Sequence, residues 1–445
     1  MQISRNDTIF ALASGAGRAG IAVVRLSGPA CRFVLELMAG HVPRPRRLEL
    51  CRLRHPLSRD LLDEALVAFF PSPNSFTGED VAELHVHGGR AVIGAVIAGL
   101  GEISGCRLAG PGEFSRRALL NGKMDLSAIE GLGDLIDAET EMQRRQAMRQ
   151  MRGELRDAVE RWRTTLIEAS AFVEAELDFA DESDVPDGLR ERAMALLVSV
   201  ADELRREIAR ARSGERIRSG LTVVIAGPPN AGKSTLLNAL AQRDVAIVSD
   251  IPGTTRDSIE VHWDLAGIPV TLVDTAGLRE SRDPIEQEGV RRARDRARNA
   301  DVILSLRAFD SQTEHLQDAP GAVIIPIRTK IDLATGRGVG SDASLDELEL
   351  SAATGEGVEA LVARLETMAK NVVADGGLVT RARHREAFAG ALTTLERAIS
   401  AGPGHPGELF AEDIRLAMRY LGRVTGRVDV EDVLDRLFAG FCIGK

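Results

Sequence analysis

The spacing of apolar positions changes three times along the chain, and each change predicts a different kind of segment. Early on, the apolar residues come in short β-branched and aromatic runs, IAVVRLSG (21–28), EALVAFFP (64–71) and VAELHVHGG (81–89). Runs of that length and content predict strands, and AVIGAVIAGL (91–100) suits a helix. Residues 1–118 therefore read as mixed α/β. From 119 to 215 the composition shifts to Ala, Glu, Arg, Leu and Met. Met148, Met151, Leu155, Val159, Trp162, Leu166, Val173 and Leu177 then recur at mostly three- or four-residue steps. That spacing predicts the apolar stripe of a long amphipathic helix.

DESDVPDG (181–188) breaks the helical pattern, and RERAMALLVSVADELRREIARAR resumes it. Helical composition returns at HREAFAGALTTLERAI and continues to the C-terminus, interrupted by AGPGHPGE (401–408). Between the two helical stretches, strand-like runs alternate with loops and helices. The expected architecture is multi-domain α/β plus α: residues 1–118, a helical domain split into 119–215 and 374–445, and a domain of 216–373 inserted between its halves. The seams fall at SGERIRSG (213–220) and ADGGLVTRA (374–382), both rich in glycine and charge.

A length of 445 residues accommodates this plan of about two or three domains. The 44% hydrophobic and 27% charged content is that of a globular protein, and a formal charge of −10 excludes nucleic-acid binding by bulk charge alone. A local basic face could still serve, at RPRR (44–47) or RRARDRAR (291–298); each also reads as a solvated loop or helix face. Cys31, Cys51, Cys106 and Cys442 show neither C-x-x-C pairing nor zinc-ligand spacing, which suits a reducing compartment. The longest uncharged apolar run is too short to span a bilayer, and the first residues do not read as a signal peptide. A cytoplasmic enzyme without membrane attachment is expected.

Two glycine-rich stretches compete as phosphate sites. Gly15-Ala-Gly17-Arg-Ala-Gly20 spells G-x-G-x-x-G, but IAVVRL follows it, a strand where a dinucleotide fingerprint needs a helix. A glycine turn between strands is the better reading. GPPNAGKST (227–235) does have the required context, with strand-like LTVVIAG before it and helical LLNALAQ after it. Gly227, Asn230, Ala231, Gly232, Lys233, Ser234 and Thr235 would then cradle phosphates, with Lys233 reaching the β- and γ-phosphates and Ser234 holding Mg²⁺.

Further elements agree with this placement. PGTTRD (252–257) supplies Thr254 and Thr255 to a switch loop. SIEVHWDLAGIPVTLVDTAG reads as a hairpin delivering Asp274-Thr275-Ala276-Gly277 beside the phosphates. Thr329-Lys330-Ile331-Asp332 stands where GTPases carry N-K-x-D, and Asp332 can accept from the N1 and N2 donors of guanine. Ser351-Ala352-Ala353 forms the expected base-side loop. Thr329 lacks the amide that contacts base and phosphate loop, so guanine selection through Asp332 with looser nucleotide binding is expected. Leu278 occupies the place of the glutamine that orients water in Ras-like switches.

DTIFALAS, PNSFTGEDVAELHVHGG (73–89), RLAGPGEFSRRALLNGKMDLSAIEGLGDLIDA (107–138), the GTPase motifs and the terminal FCIGK (441–445) together resemble the tRNA wobble-uridine modification GTPases, the MnmE (TrmE) family. The resemblance spans the chain. It implies an N-terminal α/β domain similar to tetrahydrofolate-binding aminomethyltransferase folds that also forms a homodimer, a discontinuous helical domain, and an inserted Ras-like P-loop GTPase domain. It implies a heterotetramer with the flavin- and NADH-dependent MnmG (GidA) protein, through which tRNA would mainly be bound. The pair would add an aminomethyl or carboxymethylaminomethyl group to carbon 5 of the wobble uridine, using carbon from a methylene-tetrahydrofolate, of which 5-formyl-tetrahydrofolate is an analogue.

The family also suggests what replaces the missing glutamine. A potassium ion would take the part of an arginine finger, held by Asn230 and by backbone carbonyls at Ser249, Ile251 and Thr254, in a cage completed when two GTPase domains meet. Thr255 would join Ser234 on Mg²⁺, and Arg256 and Asp257 would order the first switch. Glu286 matches the family's catalytic glutamate, with Glu288 two residues away. Arg25, Glu83, Lys123 and Lys445 match positions at the folate site; the terminal tail would bring Cys442 there to assist the modification, although Cys442 also reads as a small packed residue. The competing class is a GTP-driven ribosome-assembly switch, which shares the central motifs but leaves FCIGK without a purpose.

Overall fold

The computed structural model describes residues 7–15, 17–178, 188–242, 260–274, 300–311, 315, 321–333, 347–373, 376–402, 405–428, 437–438, 440–441 and 444. Its strands form two six-stranded sheets among these residues, one in each of two compact units.

The first unit comprises residues 1–133 and 421–445. Its strands are β1 (Thr8–Leu12), β2 (Ile21–Ser27), β3 (Glu49–Arg54), β4 (Leu61–Phe70), β5 (Val81–His87) and β6 (Cys106–Leu108). They lie in the order β3-β4-β5-β2-β1-β6, antiparallel except where β6 runs parallel to β1. Alternation along β2 buries Ala22, Val24 and Leu26. These pack with Phe69 and Leu84 against α1 (Cys31–Ala39) and α2 (Arg90–Gly101), where Val34, Met38, Val96 and Leu100 face inward. The expected strands and helix therefore stand where the apolar runs placed them. The G-x-G-x-x-G is the connection from β1 to β2, in which the Ser14 hydroxyl accepts from the Val23 N–H at 3.1 Å.

The second unit spans 134–420 and contains the other sheet, from β7 (Leu221–Ala226), β8 (Glu260–Leu265), β9 (Ile268–Asp274), β10 (Val302–Ala308), β11 (Val323–Thr329) and β12 (Leu348–Leu350). The order is β12-β11-β10-β7-β9-β8, parallel except for the β8–β9 hairpin. Strand succession reverses direction at β7, with β9 on one side and β10 on the other. In an open parallel sheet that reversal opens a crevice at the carboxyl ends of the strands, where ligands bind.

After α3 (Glu113–Leu120) and α4 (Leu126–Ile136), the helical stretch differs from expectation in one place. The apolar stripe is shared by two helices, α5 (Glu141–Met151) and α6 (Glu154–Asp178), separated at Gly153, whose φ of 93° no helix accepts. Leu155, Val159, Trp162, Leu166 and Val173 are buried as the stripe requires, whereas Leu177 is 41% exposed. Further on, α7 (Leu189–Ser219) runs through SGERIRSG and stops at Gly220, with φ 78°. Gly214 is buried within that helix because the backbone of 377–379 passes against it; a Cβ there would collide with the Val379 carbonyl oxygen. The sequence after 376 returns to helix as α10 (Ala382–Ala401), following α9 (Val358–Val373). Trp162 packs edge-on against Phe388 of α10, ring centres 5.2 Å apart. No helix among the described residues is long and apolar enough to cross a membrane.

Candidate nucleotide-binding site

β7 ends at Ala226, and the chain turns through the phosphate loop into α8 (Lys233–Ala241). The turn is possible because three of its residues adopt positive φ: Gly227 (156°), Asn230 (63°) and Gly232 (86°). At Gly227 the backbone runs so close to β10 that a Cβ would collide with the Leu306 carbonyl oxygen. Gly232 is the N-cap of α8, so the helix presents its unpaired N–H groups to the loop. Lys233 folds back over the loop and donates from Nζ to the Gly227 and Pro228 carbonyls, each at 2.9 Å. That places an ammonium at the loop's centre, where phosphate oxygens can compete for it.

The hairpin of β8 and β9 turns at Ala266 and Gly267 and delivers Asp274 to the loop. Asp274 pairs in register with Ile225 of β7 and is 4% exposed. The Ser234 hydroxyl donates to its Oδ2 at 2.8 Å. Two hard oxygen donors thus meet beside the phosphate loop, a set whose chemistry would suit Mg²⁺. Thr235 follows Ser234 on the exposed side of α8.

The ends of β10, β11 and β12 align, Ala308 opposite Thr329 and Thr329 opposite Leu350. Beyond β11, Lys330 takes a left-handed φ of 61° and leads into a short 3₁₀ turn that leaves Asp332 exposed. Beyond β12, the buried Ser351 closes its loop by accepting from the Thr354 N–H at 3.2 Å and donating its own N–H to Glu356 at 2.9 Å. Ala352 and Ala353 follow on that loop. Thr329 departs from the sequence expectation. Its hydroxyl reaches the Ala231 carbonyl at 2.8 Å and the Arg307 carbonyl at 3.1 Å, so contact with the phosphate loop is kept without an amide.

A charge cluster missed in the sequence lies behind these strand ends. The Glu347 side chain, 1% exposed, accepts from Arg307 at 2.6 and 2.7 Å and lies 2.7 Å from His315 Nε2 and 3.2 Å from Arg328. Burial works against its charge, but the Arg307 and His315 hydrogen bonds and the flanking guanidinium charges outweigh that and bring its pKa down to about 2. The in-register Arg307 and Arg328 were the available signal, since two cations side by side on neighbouring strands require an anion.

In the first unit, Arg25 and Glu83 stand opposite each other in the β2–β5 register, and the guanidinium donates to Glu83 Oε1 at 2.8 and 3.0 Å. Arg25 also lies 5.6 Å from the centre of the Phe76 ring, while Lys123 Nζ donates to the Pro73 carbonyl at 3.0 Å. Three expected folate-site residues therefore gather around each other or the 73–78 loop. Sequence reading missed His85, two residues from Glu83 on the same strand face, with Nε2 3.3 Å from Glu83 Oε2. Paired guanidinium and carboxylate offer the donors and acceptors that a pterin's amide edge needs. Ser249, Ile251, Thr254, Thr255, Arg256, Asp257, Thr275, Ala276, Gly277, Leu278, Glu286, Glu288, Cys442 and Lys445 lie outside the described residues.

Comparison with known proteins agrees with both units. The family model of the GTP-binding protein TrmE N-terminus matches residues 8–123, and that of the MnmE helical domain matches 126–442. The chain is 55% identical to the tRNA modification GTPase MnmE of Methylorubrum populi, over 99% of this chain and 98% of that protein. The chain belongs to the MnmE family. MnmE of Beijerinckia indica is 52% identical over 99% of this chain and 96% of its own length. Among solved structures, the G domain of the T. maritima FeoB iron transporter matches at 23% identity over 34% of this chain and 98% of that one, with a TM-score of 0.22. A TrmE N-terminal domain and an MnmE helical domain thus accompany a GTPase sheet in this chain, the fold class the sequence predicts.

Proposed function

We propose that this member of the tRNA modification GTPases is a potassium-dependent GTP hydrolase that works as a homodimer with a flavin-dependent MnmG-type partner. Together they would add an aminomethyl or carboxymethylaminomethyl group to carbon 5 of the tRNA wobble uridine in the cytoplasm. The observation that carries the reading is the meeting of Lys233, Ser234 and Asp274 at the end of β7 and β9, on the sheet whose next strand ends present Asp332 and Ser351.

Each described residue has a task set by its geometry. Lys233 exchanges its two carbonyl partners for phosphate oxygens, Ser234 and Asp274 hold the Mg²⁺ side, and Asp332 accepts from guanine. Asn230, exposed at the loop's crest and held in the left-handed region, offers an amide oxygen fitted to a large monovalent cation. When bound, potassium supplies positive charge beside the β- and γ-phosphates, a contribution comparable in kind to an arginine finger. Ser249, Ile251 and Thr254 would share that cation, Thr255 the Mg²⁺, and Glu286 would orient water, all by family resemblance. Arg25, Glu83, Lys123 and the terminal Lys445 would bind a methylene-tetrahydrofolate, which supplies the one-carbon unit, and Cys442 would assist its transfer. The inserted domain is taken as 216–373, between helical segments 119–215 and 374–445 and after the N-terminal 1–118.

Mass spectrometry of wobble nucleosides in tRNA from cells lacking the gene tests the modification. Loss of the C5-modified uridines is expected; unaltered nucleosides would sink it and favour an assembly switch.

A further inference from the structure

The P-loop accounts for phosphate and Asp332 for one edge of the base, but Thr329 has been given no task toward nucleotide. The residue is 2% exposed, and its hydroxyl sits between two backbone carbonyls, Ala231 O of the phosphate loop at 2.8 Å and Arg307 O at the end of β10 at 3.1 Å. A hydroxyl has one hydrogen. Both neighbours are acceptors, so that hydrogen points inward and is shared between them. Guanine's N7 and O6 are acceptors as well. What remains on Thr329 is lone pairs, and lone pairs cannot pair with either atom. An asparagine here would have two amide hydrogens and could serve loop and base together.

The tether is also well anchored. Arg307, whose carbonyl takes part, is fixed through its side chain by the buried Glu347. Gly232, the N-cap of α8, presents its Cβ direction 3.8 Å from the Thr329 hydroxyl, so the contact covers the last turn of the phosphate loop.

We propose that Thr329 is a positioning residue that ties the phosphate loop to the end of β10 and leaves the N7 edge of guanine unread. Base selection then depends on the N1 and N2 donors facing Asp332. This deepens the GTP-site reading and rests on it.

Isothermal titration of the full-length protein with GDP, 7-deaza-GDP (C–H in place of N7), IDP (no N2 amine) and ADP tests it. On the unmodified chain, GDP and 7-deaza-GDP should bind within about twofold of each other, while IDP should weaken by roughly ten- to a hundredfold, the effect of one lost hydrogen bond to a carboxylate. A fivefold or greater penalty on 7-deaza-GDP would overturn the unread edge. Thr329→Val should bind GDP about tenfold more weakly while keeping the equality of GDP and 7-deaza-GDP, and Thr329→Ser should restore the native affinity. Native affinity in Thr329→Val, or no rescue by serine, would overturn the tether. Failure of the underlying reading looks different, because the unmodified chain would then bind ADP as well as GDP.

Discussion

The two six-stranded sheets keep their chemistry in different places. In the second unit the sheet interior is apolar, with Val223, Ile225, Leu272, Leu304 and Ile327 buried, and the polar groups stand beyond the carboxyl ends of the strands. In the first unit they stand within and beneath the sheet. Arg25 and Glu83 pair mid-strand, and Arg117, 3% exposed, donates to Asp7 at 2.8 Å, Glu79 at 3.0 Å and Glu113 at 3.3 Å. Parallel strands with both faces covered leave only their ends for function. An antiparallel sheet can expose a face, so a functional pair there can be assembled from strands far apart in sequence. The lesson is that polar pairs in the first sheet are built into its register, whereas in the second they collect at the strand ends, where Glu347 and Thr329 brace the fold and Lys233 stands over the phosphate loop.

Substitutions can break or sharpen that contrast. The largest effect is expected at Arg117→Met, which takes the guanidinium from Glu79 and leaves Asp7 and Glu113 to Arg107; it should cost about 3–5 kcal/mol in urea denaturation, with GTP turnover retained. Unchanged stability would show that the network is solvated. Lys233→Ala should act in the opposite sense, lowering GTP turnover by about 10²–10³-fold while thermal stability stays close to native. A collapse of stability instead would mean that Lys233 also braces the fold.

Acid should separate the clusters next. Glu347 sits at about 2 when folded, below the ordinary carboxylate value of about 4.3. Its contribution is therefore complete above the ordinary value and is lost as pH falls toward 2. Glu113 follows the same sign: burial opposes its charge most strongly, yet hydrogen bonds from Arg107 and the Gly110 N–H hold its pKa below the usual range. Unfolding midpoints measured below about pH 4.3 should fall steeply, and Glu347→Gln should flatten the slope. The smallest structural effect belongs to Arg25→Gln, a partly exposed pair worth about 0–1 kcal/mol. Its binding of 5-formyl-tetrahydrofolate should nevertheless weaken roughly tenfold, the loss of a charged hydrogen-bond partner. Native folate affinity would remove Arg25 from that site.

How much of this was legible follows the same division. The phosphate loop, the hairpin to Asp274 and the strand ends at Thr329 and Ser351 are contiguous stretches, and the structure brings them to one edge as their spacing implied. Contiguity failed for Arg25 and Glu83, whose pairing across 58 residues is set by sheet register and not by any local pattern. The helix break at Gly153 was hidden because three- and four-residue spacing continues across it. Within SGERIRSG, the reason for Gly214 is a close backbone approach from residues 377–379, which no local pattern announces. Thr329 looked like a loss because its type was compared with asparagine; only the position of its hydroxyl shows the contact it keeps.

In the proposed mechanism a monovalent cation at Asn230 supplies the charge of an arginine finger, and the water-orienting task that Leu278 cannot perform passes to Glu286. GTP hydrolysis measured at equal ionic strength in KCl and in NaCl, on the native chain and on Asn230→Ala, tests it most directly. Turnover is predicted to be faster in KCl and to lose that preference in Asn230→Ala. Equal rates in the two salts, with the native chain fully active in both, would contradict it.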